Sequence, residues 1–460
     1  MRGAVAAGHP ATADAGAEIL EAGGSAADAA VAACLASCVA ESVMTGLLGG
    51  GHAIYFDAGS RRAANLDCFV AMPGLGRERR EVALVELDVP FGSELVHYAV
   101  GIGSCGVPGL SAGLDALWSE HGRLPWAQLV EPALRLAREG VPMPAAHASC
   151  LAMLAPVMTM NEGARIYSPG GTLLREGDPL RQPGLVGSLE AVAAEGPRCA
   201  YEGTIGRALL DLMDERGGLV TEDDLQAYEA HWNEPVRVDF RGYEVLTRAG
   251  LSDFPAALAS LPELRGRREP ERALALVGTL LEQLPGQTGT TNLAVSDEQG
   301  NACVLTTSLG LGSGDFLPGL DLHLNSMLGE ADLLVAPLEP GERMASMMAP
   351  SLALDADGVA LAAGAAGGTR LRSALLQAVA GVLDEGLDPQ AAVDRPRLHP
   401  VAALVHLEPG FGVETVAALE SAGFEVREWP GAHHYFGGVS AVTRNHAAGD
   451  PRRSGAARIV

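Results

Sequence analysis

Among the 460 residues, the stretch that most suggests chemistry is Gly289-Thr290-Thr291-Asn292. A threonine released as a chain N-terminus carries both a nucleophilic hydroxyl and a base, because the free α-amine has a pKa of about 7.7 to 8.0. No separate histidine is then needed. The residue would arise if the Thr290 hydroxyl attacked the Gly289 carbonyl, an ester replaced the peptide bond, and water released the two chains. Glycine at 289 suits that step because it permits strained backbone and close approach. A turn or a helix cap is the commoner use of such a tetrapeptide. A second stretch, Gly367-Gly368, stands between a strand-like run and a helical pattern. Successive glycine amides at a helix start can aim two N–H donors at a developing oxyanion; a tight turn is the plain alternative. Together the two stretches describe acyl transfer.

Other motifs compete. Gly109-Leu-Ser111-Ala-Gly113 matches the G-x-S-x-G elbow of serine hydrolases, with Ser111 as a rival nucleophile. That elbow follows a buried strand, whereas Pro108 and Gly109 precede it here. Gly101-Ile-Gly103-Ser-Cys105-Gly106 fits G-x-G-x-x-G, yet Pro108 stands where the first turn of a dinucleotide-binding helix should run. His433-His434 has no companion ligands at a recognisable metal spacing. No metal and no cofactor are expected.

The elements that must position these residues can be read from periodicity. Helices are expected over 10–22, over an Ala-rich stretch opened by a Ser25/Asp28 capping box, over 203–216, and after the cap Thr221. Residues 110–195 read as mostly helical, with Pro132 starting a fresh helix. Strands are expected at 52–56, 63–69, 236–240, 243–246, near 320–324, and twice within 351–364. Leu293, Val295, Cys303 and Leu305 alternate across 297–300 as a hairpin with one buried face. A helix should begin just after Gly367-Gly368. Residues 76–94 read as acidic and irregular, and 261–288 as an exposed connector leading to Thr290.

These stretches, in this order, resemble the γ-glutamyltranspeptidases almost end to end. The likeness runs through Ala11-Thr12, Ala27 to Ala30, Gly49 to Gly51, Val107-Pro108-Gly109, Gly203-Thr204 and Gly217 to Leu225. It continues through Thr290-Thr291, Asp297 to Asn301, Leu324-Asn325, Ser346 to Pro350, Gly367 to Arg370, Arg395 to His399 and Asp450-Pro451-Arg452. The resemblance implies an α+β fold, the four-layer αββα sandwich of N-terminal-nucleophile hydrolases, assembled from residues 1–289 and 290–460. It implies self-cleavage between Gly289 and Thr290, Thr290 as nucleophile, Ser308 as an assisting hydroxyl, and Gly367 with Gly368 as the oxyanion hole.

The chain departs from the family at its substrate positions. The arginine that grips an α-carboxylate is replaced by Phe69, an asparagine by Gly310, a glutamine by Met327, and the amino-binding aspartate by Glu330. Of two paired serines, Ser346 remains and Met347 replaces the other. The stretch between Glu330 and Ser346 is short, and a proline-rich, double-glycine segment after Tyr243 is missing. Losing several charged contacts weakens recognition of a zwitterionic head. The expected substrate is a small acyl amide or γ-glutamyl-like molecule other than plain glutathione, with water or an amine as acceptor. A binding protein on the same fold, a natural-product hydrolase cutting a different bond, and a Ser111 hydrolase remain alternatives.

Composition agrees with an enzyme. Hydrophobic residues make up 48% and charged residues 19%, and the chain contains no lysine, which excludes Schiff-base, pyridoxal-phosphate and P-loop lysines. A formal charge of -25 repels nucleic acid and anionic membranes, so neither is an expected partner. Seven scattered cysteines read as free thiols, and with no leader-like opening they give a cytoplasmic expectation. A self-processed heterodimer or a homo-oligomer is the expected assembly.

Overall fold

Along the central strands, neighbouring side chains point to opposite faces, and both faces are apolar, so each sheet must be covered twice. The computed structural model describes residues 3–78, 81, 82, 84–91, 94–281 and 290–460. A seven-stranded antiparallel sheet runs in the order Ala456–Ile459, Ala4–Ala7, Thr291–Ser296, Ala302–Ser308, Gly50–Asp57, Arg62–Cys68, His231–Asn233. A six-stranded antiparallel sheet runs Ala447–Gly449, Gly438–Thr443, Gly358–Ala366, Ser351–Asp355, Tyr243–Thr247, Val236–Phe240. Residues from both sides of Thr290 contribute strands to each sheet.

Ala4, Ala6, Ile54, Phe56, Ala294, Ala302 and Val304 of the first sheet meet Leu246, Leu352, Leu354, Val359, Ala362 and Val442 of the second. The alternate residues Val5, Ala53, Tyr55, Leu293, Val295, Cys303 and Leu305 face helices Pro10–Glu21, Ala26–Ala40, Leu110–His121 and Trp126–Glu139. On the far side of the second sheet, Val245, Ala353, Leu361, Ala363, Val439 and Ala441 pack on helices Phe254–Ser260, Glu269–Leu281 and Arg370–Leu383. The result is the αββα sandwich.

Several local expectations need correction. The hairpin Thr291–Ser296/Ala302–Ser308 is buried on both faces, not one. Its alanines are small because a second sheet lies against them, not because they meet water. Residues 85–100 form a hairpin, Val85–Phe91 with Glu94–Val100. The supposed connector contains helix Glu269–Leu281, which buries Ala273, Leu276, Val277 and Leu280. Residues 282–289, including Gly289 and the expected cleavage point, lie outside the described residues. No strand forms at 320–324, because the chain reverses there: Leu317 N donates to Leu322 O at 2.9 Å and Asp321 has φ 51°.

Pro132 does not start a helix; it sits inside Trp126–Glu139. The Gln128 carbonyl that loses its donor belongs to an exposed residue that water can satisfy, while Trp126, Leu129, Val130, Ala133 and Leu134 keep the stripe buried. The Ser25/Asp28 capping box is present, and every residue of Ala26–Ala40 is buried. Alanine combines high helix propensity with a thin surface, so this helix lies close to the sheet and ends at Glu41, beside the proposed nucleophile's strand.

Candidate active site

Thr290 immediately precedes the strand Thr291–Ser296. Register sets Thr291 opposite Thr307, and the next step of the ladder sets Ser308 across from Thr290. Thr290 is 1% exposed, and its Oγ1 has no hydrogen-bond partner among the described residues. Leaving a buried hydroxyl unpaired costs about 1–3 kcal/mol; valine would fill the same space without that cost. The Ser308 hydroxyl accepts from Gly310 N at 2.8 Å.

The strand is held on both sides. Facing the second sheet, Asn292 accepts from Thr306 Oγ1 at 2.7 Å through its side chain and from Ser440 Oγ at 3.0 Å through its carbonyl. A Cβ on Gly364 would come within 2.0 Å of Asn292 Oδ1, so glycine is required there. Facing the helices, Thr291 Oγ1 and Thr12 Oγ1 both donate to Glu41, the latter at 2.7 Å. Burial raises the Glu41 pKa to about 7, against the pull of the Thr291 and Thr12 hydrogen bonds and the Arg453 charge.

Gly367 and Gly368 link strand Gly358–Ala366 to helix Arg370–Leu383, with φ of 132° and 60°. Their carbonyls accept from Arg370 N and Leu371 N at 3.1 and 3.0 Å, so their amides stand at the open start of the helix, where an anion is favoured. Arg453 joins this turn to the strand. Its Nη1 donates to the Thr290 carbonyl at 2.9 Å, and its Nη2 would lie 3.4 Å from a Cβ on Gly367. Arg453 thus links the Thr290 carbonyl to the turn at Gly367, with Ser308 across the ladder from Thr290.

Phe69, Met327 and Met347 come together in one cluster with Val70, Leu333, Met344 and Met348. Three separate departures from the family pattern therefore fall in one buried apolar cluster. Two arginines beside it are engaged: Arg343 Nη1 donates to Phe69 O at 3.2 Å, and Arg248 Nη1 to Ser346 O and Met348 O at 3.2 and 3.0 Å. The Ser346 hydroxyl accepts from Met348 N at 3.2 Å, closing a turn. The short stretch after Glu330 is stitched into this cluster, with Met72 N to Glu342 O at 2.9 Å and Met344 N to Val70 O at 3.0 Å.

Gly310 and Glu330 also prove to be linked. A Cβ on Gly310 would lie 2.4 Å from Glu330 Oε1 and 2.6 Å from Ser326 Oγ, so the longer acid uses room the glycine leaves. Glu330 is 2% exposed, with neither carboxyl oxygen partnered among the described residues. Burial, with Asp332 adding repulsion, pushes its pKa well above the ordinary carboxylate value.

The rival motifs do not assemble. Ser111 is buried in the first turn of Leu110–His121, and no imidazole or other partner bonds its Oγ among the described residues. Residues 101–106 are buried around the turn Ile102–Ser104, and Gly106 N is bound by Asn325 Oδ1 at 3.0 Å. His433 and His434 pack ring against ring at 4.0 Å, and among the described residues no group of three or more His, Cys, Asp or Glu side chains could hold a metal. Sequence reasoning missed Glu41 and Arg453. The first is a lone acid just after the Ala-rich helix Ala26–Ala40, and the second is one residue beyond the Asp450-Pro451-Arg452 match.

Against known proteins, the family profile described as Gamma-glutamyltranspeptidase matches residues 12–269 and 267–460. The chain belongs to the γ-glutamyltranspeptidase family. It is an enzyme of that family's acylase and hydrolase kind. It is similar to the Acylase ACY 1 proenzyme of Pseudomonas sp. (strain V22), 29% identical over 96% of this chain and 90% of that protein. It is also similar to the Glutathione hydrolase proenzyme of Bacillus subtilis (strain 168), 25% identical over 99% of this chain and 91% of that protein. Its fold matches the crystal structure of cephalosporin acylase from Bacillus halodurans, with TM-score 0.84, 24% identity, and coverage of 99% of this chain and 95% of that one.

Proposed function

We propose that this protein cleaves itself before Thr290 and then acts as an N-terminal threonine acylase on a small amide whose acyl end is apolar, rather than on glutathione. The observation that carries the reading is the buried, unpartnered Thr290 hydroxyl at the head of the central strand, whose carbonyl Arg453 ties to the turn at Gly367. Self-cleavage transfers the Gly289 acyl group from nitrogen to the Thr290 oxygen, and water then hydrolyses the ester. The freed α-amine takes the hydroxyl proton as Oγ1 attacks the substrate carbonyl. The Gly367 and Gly368 amides receive the oxyanion, and the α-ammonium returns the proton to the leaving amine. Water or an amine then takes the acyl group from Thr290. Ser308, opposite, supplies an assisting hydroxyl.

The Phe69, Met327 and Met347 cluster supports an apolar acyl end, because none of these three side chains can bond a carboxylate, and Arg343 and Arg248 beside it donate to backbone carbonyls. Glu330 is the polar exception, able to receive a substrate ammonium or N–H. The family relatives described as acylase and proenzyme support acyl transfer and processing. Seven buried free thiols support a cytoplasmic setting.

Two measurements test the proposal. Mass spectrometry should find a new N-terminus at Thr290, while Thr290→Ala stays full length and loses turnover by on the order of 10⁴-fold or more. A panel of acyl-p-nitroanilides should favour apolar acyl groups over γ-glutamyl, and Phe69→Ala should shift that preference toward larger acyl chains. An intact wild-type chain that turns over no member of the panel would leave a binding protein in place of the enzyme.

A further inference from the structure

Arg453 is a partly buried cation with no ion-pair partner of its own among the described residues. Its guanidinium reaches the Thr290 carbonyl at 2.9 Å and the Met44 sulfur at 3.7 Å, and its Nε has no partner among the described residues. No carboxylate lies within ion-pair distance of it among those residues, although four acidic and basic groups crowd the same loop. Arg397 and Arg452 occupy Asp450, at 2.5 and 3.2 Å, and Arg452 also holds Glu408 at 2.5 Å. Two cations and two anions are thus already matched without Arg453.

The remaining groups that face this site come from several elements. Helix Ala145–Met158 supplies His147 and Cys150, held neutral by burial, with pKa values near about 3 and about 11. His9 packs on His147 and is likewise lowered, to about 4. The turn His434–Phe436 supplies His434, lowered to about 2 by burial. Arg370 adds positive charge from the start of the oxyanion helix, stacked over Tyr435 at 4.7 Å. Glu330 stands on the substrate side. Asp450, shared with Arg397 and Arg452, and Glu41, whose oxygens already accept from Thr12 and Thr291, are the carboxylates left to attract it.

The carbonyl that Arg453 grips lies on the C-terminal side of the bond proposed to be cut, so the contact persists after cleavage. Within one residue the amide nitrogen and carbonyl oxygen are at most about 3.7 Å apart. Adding the 2.9 Å hydrogen bond, the Thr290 nitrogen and the guanidinium stand within about 7 Å of each other. A cation at that range disfavours a second positive charge.

We infer that Arg453 is a positioning residue that also tunes the base: it holds the Thr290 carbonyl and keeps the new α-amine uncharged at a lower pH than an ordinary chain terminus. The inference rests on the proposed N-terminal role of Thr290. With an effective dielectric near 20, the depression is on the order of one to two pH units below the usual range. Glu41 opposes it, weakening the Arg453 field as it ionises.

The absence of lysine makes a direct test possible. Reductive methylation of the purified, processed protein with ¹³C-formaldehyde labels only α-amines, and the Thr290 signal is the one absent from uncut Thr290→Ala. Its ¹³C shift, followed against pH, should give a midpoint one to two units below about 7.7. Arg453→Met should raise that midpoint by about a unit or more. A wild-type midpoint at or above about 7.7, or one that Arg453→Met leaves unmoved, overturns the inference. If Arg453→Met does not process, Arg453→Gln, which keeps an N–H donor for the Thr290 carbonyl without the charge, decides: a higher midpoint supports the inference and an unmoved or lower one refutes it. An intact mass with no Thr290 signal overturns self-cleavage itself, and this inference with it.

Discussion

At the scale of single residues, the substrate positions change in coordinated groups. Gly310 has φ 71°, and a side chain there would strike Glu330 at 2.4 Å. Asparagine tolerates positive φ better than most residues, so the collision with Glu330 dominates. Gly310→Asn should therefore lower stability and turnover, and adding Glu330→Asp should recover a large part of both. The coupling in a double-mutant cycle should be about 1–3 kcal/mol by chemical denaturation. Additive effects would mean that the two positions do not share the space.

At the scale of elements, helix Glu269–Leu281 changes the view of what leads into Thr290. It is anchored by Leu276 and Val277 in the core and by Arg272, whose Nε lies 3.0 Å from Glu385 Oε1. The described chain is therefore fixed up to Leu281, and the cut proposed before Thr290 falls a few residues later. Leu276→Ala should cost about 2–5 kcal/mol of stability. An exposed connector would lose almost nothing, so equilibrium unfolding in urea distinguishes the two. The Ala-rich helix plays a complementary part, since its thin surface brings Glu41 to the back of the strand that Thr290 begins.

At the scale of the whole molecule, histidines buried in their neutral form set the acid limit. Burial lowers His9 to about 4, His147 and His323 to about 3 and His434 to about 2, and holds His52 and His399 well below the ordinary value. Each binds a proton more readily when unfolded, so the stability it gives is present above about pH 6.5 and is lost as pH falls toward the folded value. Glu41 and Glu330, raised by burial, run the other way: their folded forms favour the proton, and they gain from acidification above about pH 4.5. The histidines are more numerous, so the melting temperature should fall steadily from pH 6.5 to 4, which calorimetry can follow. A flat or rising trend would mean that the carboxyls dominate.

The sequence by itself determined the elements and the chemical vocabulary. Period-2 runs, the Ser25/Asp28 box, the glycine pair before helix Arg370–Leu383 and the ordered family motifs are local signals, and local signals survive in one dimension. The departures at Phe69, Gly310, Met327, Glu330 and Met347 were legible in the same way, as residue types out of pattern. Tertiary structure decided what those types do together. Thr290 meets Arg453 across 163 positions and Thr291 meets Glu41 across 250, separations over which neither periodicity nor spacing carries information. The same limit explains the misread hairpin face and the misread connector. Small residues before a second sheet resemble small residues before water, and a charged, leucine-rich stretch resembles a loop until the core it enters is known.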